Sequence, residues 1–379
     1  MEDVVIVGAG PAGCVAATVL ARAGVRVRLL DRTTFPRHKL CGDTLNPGTL
    51  GVLRRLGLAR SAEASGLAVH GMIVTGEGGV SVDGRYPRGL HGRSLSRRDL
   101  DWSLLQQSIG AGAVFEPGVT VRGALVDAAR VAGVTVGGNG SARPIPARVT
   151  IAADGRHSTV AFGLGLARHP PHPRRWAVGA YFEQMRGARA AGEMHIRRGR
   201  YIGLSPLPNG LTNVCVVVPA GAAGAELRDP RRMLADALAS DPMLRERSAE
   251  ARQVTDPLVL GPLAVEVPCP GLVPEGLLLA GDAGGFVDPM TGDGLRFAIR
   301  GGELAGMAAL QALEHGWSGV QARFASMRQR EFSAKWRFNR VLRSLVASPT
   351  LVGAASTGAR FAPGAVRRLI ARAGDCDLA

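Results

Sequence analysis

The segment RHKLCGD, residues 37–43, concentrates side chains that can do chemistry. Two strong cations, a histidine, a thiol and a carboxyl group fall within seven positions. Lys39 is one of only two lysines in the chain, the other being Lys335, although arginine is abundant. Histidine and cysteine transfer protons, and a lysine stabilises negative charge. The residues alone leave the role of the cluster open, because it depends on what the segment lies beside.

The first 31 residues follow the pattern of a dinucleotide-binding unit. A short apolar run, VVIV, leads into the turn GAGPAG at 8–13, and a helical pattern follows. A second apolar run, 25–30, ends on Asp31. In such a unit the glycines allow a tight turn and a close approach of the backbone to a pyrophosphate, while the acid accepts hydrogen bonds from a ribose. The pattern does not distinguish NAD from FAD.

Three later segments carry further signals of a dinucleotide site. Ser96 can cap a helix that begins at Arg97, whose guanidinium could reach a pyrophosphate or simply be solvated. A strand in ARVTIAADGRHSTV runs into Asp154-Gly155. A buried strand ends at Gly281-Asp282, and the turn PMTGDG at 289–294 begins a long helix.

Together these segments resemble the FAD-dependent oxidoreductases of the para-hydroxybenzoate hydroxylase fold. Asp154-Gly155 matches their DG motif, and Gly281-Asp282 matches their GD motif. The resemblance covers about residues 1–318. It implies an α/β fold with a single-Rossmann FAD-binding domain, a β-sheet substrate domain and a helical C-terminal tail. It also implies that Asp282 holds the ribityl chain and that the turn at 292–294 points a helix N-terminus at the flavin, where it stabilises negative charge.

Within that fold, KLCGD is similar to the CG motif of the geranylgeranyl reductase branch. The segments GDAGGFVDPMTGDGL and GEMHIRRGRYIGLSPLPNGLTNVCVVV are similar to the same branch. The chain is identified as a member of the geranylgeranyl reductase-like family of FAD-dependent oxidoreductases. This implies that the loop lies over the isoalloxazine, where Lys39 or Arg37 favours the anionic reduced flavin and Gly42 lets the backbone approach. Cys41 is then either a proton donor or a small contact.

The motifs and the resemblance together define the candidate site. The candidate catalytic residues are Cys41, Lys39 and His38. The candidate cofactor-binding residues are Gly8, Gly10, Pro11, Ala12, Gly13, Asp31, Arg32, Lys39, Cys41, Gly42, Arg97, Asp154, Gly281, Asp282, Pro289, Gly292, Asp293 and Gly294. Because the chain has one dinucleotide fingerprint, FAD is the expected resident cofactor and NAD(P)H a transient reductant.

One stretch departs from the prenyl-lipid reductases of this family. Those proteins carry an aromatic YxWxFP sequence along the lipid channel, whereas this chain has Tyr201-Ile-Gly203-Leu-Ser205-Pro206. Loss of the Trp and Phe opens the pocket and removes apolar contacts. A bulkier, more polar or ring-containing substrate is therefore expected at least as much as a long geranylgeranyl chain. The candidate pocket residues are Tyr181, Tyr201, Gly203, Ser205 and Pro206.

The expected domain organisation is discontinuous. The FAD-binding domain takes residues 1–70, 92–168 and 269–318, the substrate domain takes 71–91 and 169–268, and a helical C-terminal region takes 319–379. Trp336, Phe338, Val341, Leu342 and Leu345 mark an apolar stripe between arginines in that last region. The stripe either packs on the FAD-binding domain or forms an interfacial helix on a membrane.

Composition limits the class of protein. The chain has 379 residues, a net charge of +15 and 46% hydrophobic residues, which is typical of a globular protein with basic surfaces. The positive charge reflects either a composition bias towards arginine or attraction to an anionic surface. No nucleic-acid-binding motif accompanies the charge, so an anionic membrane or an acidic cofactor is favoured over nucleic acid as a partner. The five cysteines are widely spaced, and no metal-ligand cluster is present. A cytoplasmic protein without a signal peptide is expected, with peripheral membrane contact as the alternative.

Three functions remain open from these residues. The first is reduction of a carbon–carbon double bond or quinone-like group in an apolar or polycyclic small molecule. The second is a flavin monooxygenase that hydroxylates or epoxidises through a C4a-hydroperoxide. The third is a flavoprotein that relays electrons to another protein. FAD-binding motifs do not choose between these reactions.

Overall fold

The computed structural model describes residues 2–137, 142–172, 174–221, 224, 227–377 and 379, without the side chains of Pro289, Ala347 and Pro349. Its strands are β1 Glu2–Val7, β2 Val27–Leu30, β3 Thr44–Leu45, β4 Leu67–Val69, β5 Gly71–Thr75, β6 Ser81–Arg85, β7 Gly92–Ser94, β8 Val114–Glu116, β9 Val121–Asp127, β10 Arg130–Val136, β11 Arg143–Ala152, β12 Arg175–Glu183, β13 Gly192–Arg197, β14 Arg200–Pro206, β15 Thr212–Pro219, β16 Arg252–Gln253, β17 Leu258–Leu260 and β18 Leu277–Leu279. Its helices are α1 Pro11–Arg22, α2 Pro47–Arg55, α3 Arg60–Ser65, α4 Arg97–Gly110, α5 Thr159–Gly163, α6 Pro230–Ser240, α7 Gly294–His315, α8 Val320–Ala347, α9 Pro349–Phe361 and α10 Pro363–Ala373.

A mainly parallel sheet forms the nucleotide-binding half of the fold. Strands β8, β2, β1, β11 and β18 pair in parallel, and β10 and β9 extend the sheet in antiparallel fashion. Strand β1 is a nearly continuous apolar run because both faces of a parallel sheet are covered. Val4 and Ile6 lie on the face of the sheet that helices α1 and α7 cover, whereas Val5 and Val7 lie on the opposite face. This confirms the predicted α/β fold with one Rossmann-type unit.

A second sheet of eight strands stands over the cavity described below. Its order is β16-β12-β15-β14-β13-β5-β6, with β17 also paired to β12. Helix α6 covers one face through Met233, Leu234 and Leu238. The opposite face meets the loop after β2 and helix α8, where Leu40, Val217 and Leu345 pack together. The alternating patterns around residues 177–183 and 213–218 therefore do form strands of one covering sheet.

A small three-stranded sheet, β3-β7-β4, anchors the loop that holds RHKLCGD. Thr44 pairs with Ser94, and Leu45 pairs with Arg93. Asn46 caps helix α2, because its side chain accepts a hydrogen bond from the N–H of Thr49 at 2.8 Å. The loop from 37 to 43 is consequently fixed at its C-terminal end.

The C-terminal region folds into helices, as predicted. Trp336 stacks near Phe297 and Phe332, and Leu342 and Leu345 pack against the cluster around Leu40. These positions follow the packing alternative, whereas Val341 of the same stripe is 65% exposed and so does not follow it. Among the described residues, no helix combines the length and hydropathy that crossing a bilayer requires.

Candidate active site

A large cavity lies between the parallel sheet and the eight-stranded sheet. It contains about 1550 Å³ of space free of protein atoms, a volume that includes its opening to solvent. The glycine turn at 10–12, the loop at 39–46 and the turns at 281–282 and 290–294 form its walls, together with strands β13 to β15. The cavity thus brings the nucleotide motifs and the covering sheet to one site.

The glycine turn is shaped by backbone contacts that exclude side chains. Gly8 has φ +98°, and a Cβ there would lie 2.5 Å from the carbonyl oxygen of Ala153. A Cβ on Gly13 would lie 1.9 Å from the carbonyl oxygen of Gly8. A Cβ on Gly10 would instead meet only the Arg37 guanidinium, at 3.8 Å. Gly8 and Gly13 are therefore required for folding, while Gly10 opens the backbone towards the cavity.

Asp31 lies at the end of β2 beside this turn. Its carboxylate accepts hydrogen bonds from the N–H of Ala9 at 2.9 Å and from the N–H and hydroxyl of Thr33 at 2.9 and 2.7 Å. The acid is thus held where the motif requires it. Its contact with a ribose stays a prediction.

Positive side chains collect around the cavity beyond the turn. A Cβ on Gly155 would lie 3.8 Å from Nζ of Lys39. Burial, together with the Arg97 and Arg37 cations, lowers the pKa of Lys39 to about 8. Burial lowers the pKa of Arg156 to about 10, and its Nε has no hydrogen-bond partner among the described residues. These groups favour an anion in the cavity, because a negatively charged ligand would oppose the lowering of the pKa of Lys39 and of Arg156.

The two guanidinium groups near the turn share one buried acid. Arg37 approaches Asp101 at 3.2 Å and lies over the Phe35 ring at 4.6 Å. Arg97, at the first position of α4, donates two hydrogen bonds to Asp101 at 2.7 and 2.9 Å. Burial alone would lower the pKa of Arg97, but Asp101 outweighs it and raises the pKa. The Arg97 side chain is held by this ion pair at the cavity wall, and its contact with a pyrophosphate stays a prediction.

Helix α8 holds the turn that carries Asp282 through hydrogen bonds from Arg328. Gly281 has φ +59°, which suits glycine in such a turn. Arg328 donates hydrogen bonds to the carbonyl oxygens of Leu279 at 2.7 Å and Gly284 at 2.5 Å. Burial lowers the pKa of Arg328 to about 10. The buried arginine thus fixes the turn and leaves the Asp282 side chain on the cavity wall.

The start of helix α7 is held by the second lysine of the chain. Lys335 Nζ lies 3.0 Å from Asp293 and 3.1 Å from Asp375. Asp293 also accepts a hydrogen bond from the Thr291 hydroxyl at 2.6 Å. The turn around Gly292 is consequently tied to both α8 and the C-terminal segment. Both lysines of the chain therefore serve this one site.

A buried carboxyl group lies directly behind the CG motif. Asp43 accepts hydrogen bonds from Asn213 Nδ2 at 2.7 Å and from the Arg97 N–H at 3.2 Å. Burial raises the pKa of Asp43 to about 7, although the Tyr181 hydroxyl and Arg97 partly oppose the rise. Burial also raises the pKa of the Cys41 thiol, which lines the cavity. Two groups near the cavity therefore retain protons near neutral pH.

The cavity wall carries both a cluster of hydroxyl groups and a set of apolar side chains. Ser205 Oγ lies 2.9 Å from the Thr44 hydroxyl and 2.7 Å from the Ser94 hydroxyl, next to Asp43. A Cβ on Gly203 would have no heavy atom nearer than 3.9 Å. The apolar lining is contributed by Met72, Met194, Leu260, Leu263, Phe286, Met290 and Leu295. A ligand with an apolar body and a polar end suits this arrangement.

A second cavity lies on the other side of the 39–41 loop, with about 820 Å³ of space. His38 and Tyr181 line it with their ring centroids 6.2 Å apart. Residues 39–41 and Asn213 line both cavities. The three predicted catalytic residues therefore do not all face one cavity. Lys39 and Cys41 line the main cavity, whereas His38, in the described part of the chain, lines the second cavity and not the main one.

Several predicted site residues lie outside the main cavity wall. Tyr201 is buried and donates its hydroxyl to Asp288 at 2.8 Å, and neither it nor Pro206 lines a described cavity. Arg32 is exposed. Asp154 packs beneath Gly8. The side chain of Pro289 lies outside the described part of the structure.

The comparisons with known proteins agree with this geometry. A family model described as "FAD binding domain" matches residues 1–322. Digeranylgeranylglycerophospholipid reductase 2 of Methanopyrus kandleri is 30% identical over 82% of this chain and 78% of its own length. The menaquinone reductase of Mycobacterium tuberculosis is 30% identical over 80% of this chain and 75% of its own length.

The chain belongs to the FAD-binding family, in its geranylgeranyl reductase-like branch. It is an FAD-dependent oxidoreductase. Conditioned medium factor receptor 1 of Dictyostelium discoideum is 28% identical over 82% of this flavoprotein, which spans 63% of that relative.

Solved structures share the fold of this flavoprotein. A myxobacterial chondrochloren halogenase, described as a variant of FAD-dependent halogenases, has 25% identity and a TM-score of 0.81 over 89% of this chain and 81% of its own. A geranylgeranyl bacteriochlorophyll reductase-like protein from Thermoplasma acidophilum has 20% identity and a TM-score of 0.80 over 93% and 89% of the two chains. At this identity the second likeness concerns the fold alone.

The residues present fit FAD. The open space above Gly10, which a Cβ would enter, suits a diphosphate, and the cations Lys39 and Arg156 lie in the same cavity. Asp282 is available on the cavity wall, and the N-terminus of α7 opens into it at Gly294. Each required element is therefore provided by this chain.

Sequence reasoning assigned no role in the site to three of its residues, Arg156, Asp43 and Asn213. Arg156 follows the DG motif directly, so its position along the chain was a usable signal. Asp43 closes the RHKLCGD cluster, but its burial is not visible in sequence. Asn213 lies 170 positions from Asp43, and no local pattern connects the two.

Proposed function

We propose that this flavoprotein reduces a carbon–carbon double bond or a quinone-like group in an apolar or polycyclic substrate. The observation that carries the proposal is the continuous cavity between the glycine turn and the covering sheet. Gly10 on its wall suits a dinucleotide, and the same wall carries apolar side chains together with the Cys41 thiol and the Asp43 carboxyl group, whose pKa values are raised. Reduction needs a hydride and a proton at one place, and such a cavity can supply both.

The substrate would place its apolar body against Met72, Met194 and Leu263. A carbonyl or hydroxyl group would then face the hydroxyls around Ser205. The space at Gly203 suits a ring or a branched group better than it suits a narrow chain. The names of two relatives, a menaquinone reductase and a digeranylgeranylglycerophospholipid reductase, support quinone-ring and alkene substrates respectively.

FAD would be held by the candidate residues on the cavity wall. Gly10 and the N-terminus of α1 would receive the pyrophosphate, with Lys39 and Arg156 opposing its charge. Asp282 would bind the ribityl chain. When bound, FAD supplies a hydride equivalent to the substrate. NAD(P)H would restore the reduced cofactor and bind only transiently, because the fingerprint at 8–13 is taken by FAD.

The proton would come from the Cys41 and Asp43 pair. The Cys41 thiol remains protonated at neutral pH and lines the cavity, so it can donate to a substrate carbon or oxygen. Asp43 lies behind it and can hold a second proton. Lys39 would stabilise negative charge in the cavity. His38 would act from the second cavity, by holding the loop against Tyr181.

Anaerobic reduction and reoxidation test the proposal. The enzyme is reduced with NADPH or NADH without oxygen and then mixed with menaquinone, a geranylgeranyl lipid or dissolved oxygen. We expect one of the organic acceptors to reoxidise the flavin faster than oxygen does and to gain two hydrogens. Oxygen consumption with ¹⁸O in the product would instead assign a monooxygenase. Reoxidation by a partner protein alone would assign an electron relay.

Peripheral contact with a membrane belongs to this proposed function. Quinones and prenyl lipids reside in bilayers, so an enzyme that reduces them gains from contact with the lipid surface. Trp336, Leu342 and Leu345 of the apolar stripe are half-buried and pack against the protein. Contact would therefore involve another part of the C-terminal region.

A further inference from the structure

Helix α9 presents an apolar face to solvent. Phe361 is 85% exposed and Leu351 is 50% exposed. Ala354, Ala355 and Gly358 are exposed between them on the same side of the helix. A helix at a protein surface normally carries its charged residues on its outward side. The outward side of α9 thus has the composition of a contact surface.

The opposite face of α9 is anchored to the protein. Val352 is buried, and the Ser356 hydroxyl accepts a hydrogen bond from the Glu77 N–H at 3.1 Å. Arg360, the one charged residue of α9, donates a hydrogen bond to the Gly78 carbonyl oxygen. The apolar face therefore cannot turn inward without breaking these contacts.

Helix α10 adds a basic surface beside the apolar one. Its inward side is held by Ile370, which is buried against Tyr86, so the helix is fixed on strand β6. Arg367, Arg368 and Leu369 are exposed on the other sides. Arg367 donates to the Asp83 carbonyl oxygen at 3.2 Å and keeps its charge at the surface.

All charged side chains in residues 332–374, which include α9 and α10, are positive. Residues 332–374 contain eight lysines and arginines and no aspartate or glutamate. Each cation near an anionic leaflet contributes about 1 kcal/mol of attraction. Two copies of the same face would instead bring like charges together, which opposes self-association. An anionic lipid surface satisfies both the apolar and the basic parts.

We propose that α9 and α10 form the face by which this protein docks on an anionic lipid bilayer. The proposal deepens the proposed function, since that function calls for an apolar substrate. Phe361 and Leu351 enter the interface, and Arg367 and Arg368 face the lipid phosphates, while Arg360 stays bonded to the Gly78 carbonyl oxygen on the opposite face of α9. The bilayer then lies beside the wall of the active cavity, to which Ala373 at the end of α10 contributes. Asn46 and Lys335 both bind the carbonyl oxygen of Ala373, at 3.2 and 2.8 Å, and so hold this end of α10 in place.

Vesicle co-sedimentation of the FAD-loaded full chain tests the face. The vesicles contain phosphatidylglycerol or only phosphatidylcholine, and salt is varied. Wild type should bind phosphatidylglycerol at low salt and lose binding as salt rises, because screening weakens the attraction. The variants Phe361→Asp and Arg368→Glu should each reduce binding about tenfold or more. Leu272→Asp is the matched control, since Leu272 is 75% exposed but lies in a turn outside this face.

The outcomes separate this proposal from its alternatives. Wild type that stays in the supernatant with phosphatidylglycerol, or equal loss of binding in Leu272→Asp, overturns it. Equal binding to phosphatidylcholine overturns the role of the arginines. A dimer in light scattering that Phe361→Asp dissociates, without vesicle binding, assigns the face to a second copy. No substrate is present in the assay, so the result is independent of whether the reductase proposal holds.

Discussion

Asn213 Nδ2 lies 2.7 Å from the Asp43 carboxyl and 2.5 Å from the Cys41 carbonyl oxygen. One amide from the covering sheet thus holds both the acid and the backbone of the CG motif. Because the loop and the sheet come from distant parts of the chain, this contact joins the two halves of the cavity. It also keeps a protonatable carboxyl group next to the thiol that lines the wall.

Asp43→Asn should flatten the dependence of stability on pH. The pKa of Asp43 is about 7 in the folded protein and 3.8 in a model compound, so the folded state retains a proton that the unfolded state releases. This difference in pKa contributes up to about 4 kcal/mol to the free energy of unfolding. The contribution is fully present below about pH 4 and is lost as the pH rises through 7. Denaturant unfolding of wild type and variant at several pH values measures this. Equal slopes in the two proteins would mean that Asp43 does not hold the proton.

Cys41→Ala should reduce turnover while leaving the fold almost unchanged. A lost proton donor lowers the rate about 100-fold, whereas the small loss of volume costs about 1 kcal/mol of stability. Cys215→Ala is the matched control, because Cys215 also lines the cavity and its pKa is raised to about 12 by burial. Steady-state turnover and thermal melting give the two quantities. Equal turnover in both variants would assign Cys41 to packing.

Gly10→Val should give a folded but colourless protein. A Cβ at this position would meet only the Arg37 guanidinium, at 3.8 Å, so we expect the fold to tolerate a valine that occupies the place of the pyrophosphate. Gly13→Val, in contrast, should misfold because its Cβ would lie 1.9 Å from the Gly8 carbonyl oxygen. Flavin absorbance and circular dichroism distinguish the two defects. A yellow, fully loaded Gly10→Val protein would contradict the assigned site.

Gly203→Trp should narrow the cavity without unfolding the protein. The nearest atoms, Met194 Cε and the Cys215 carbonyl oxygen, are 3.9 Å from a Cβ at this position, which leaves room for a side chain to extend into the cavity. We expect a higher KM for ring-containing substrates and a change in stability of about 1 kcal/mol or less. Efficient reduction of geranylgeranyl lipids by wild type, with no loss in the variant, would refute this view of the pocket.

Lys335→Met should destabilise the protein and weaken FAD binding together. Removal of the ammonium leaves Asp293 buried without its cation and Asp375 with only Arg296, at 3.6 Å, and breaking a buried pair in this way typically costs about 3–5 kcal/mol. The turn that begins α7 would then lose its anchor. Arg337→Met is the control, since Arg337 is exposed on the same helix. Calorimetry and flavin fluorescence titration measure both effects, and a Lys335→Met protein as stable as the control would rule out the anchoring role.

The sequence by itself determined the FAD fingerprint and the fold class. The positive φ of Gly8 and the contact of Gly13 with the Gly8 carbonyl oxygen are local backbone requirements, although Gly8 also packs on the distant Ala153. The strand that ends on Asp31 follows from hydrophobic periodicity. The DG and GD motifs are also short and contiguous, so the resemblance could be recognised from them alone. The helical nature of the tail was similarly visible in its pattern.

The tertiary structure alone decided which of these groups act on one another. Asp43 acquires its pKa of about 7 only through burial, and its partner Asn213 is 170 positions away. Lys335 meets Asp293 only because α8 packs on the start of α7. Trp336 turned inward and Phe361 outward, although both are aromatic residues among arginines. Sequence patterns report what a segment can do locally, whereas burial and long-range contacts set the charge, exposure and partner of each side chain.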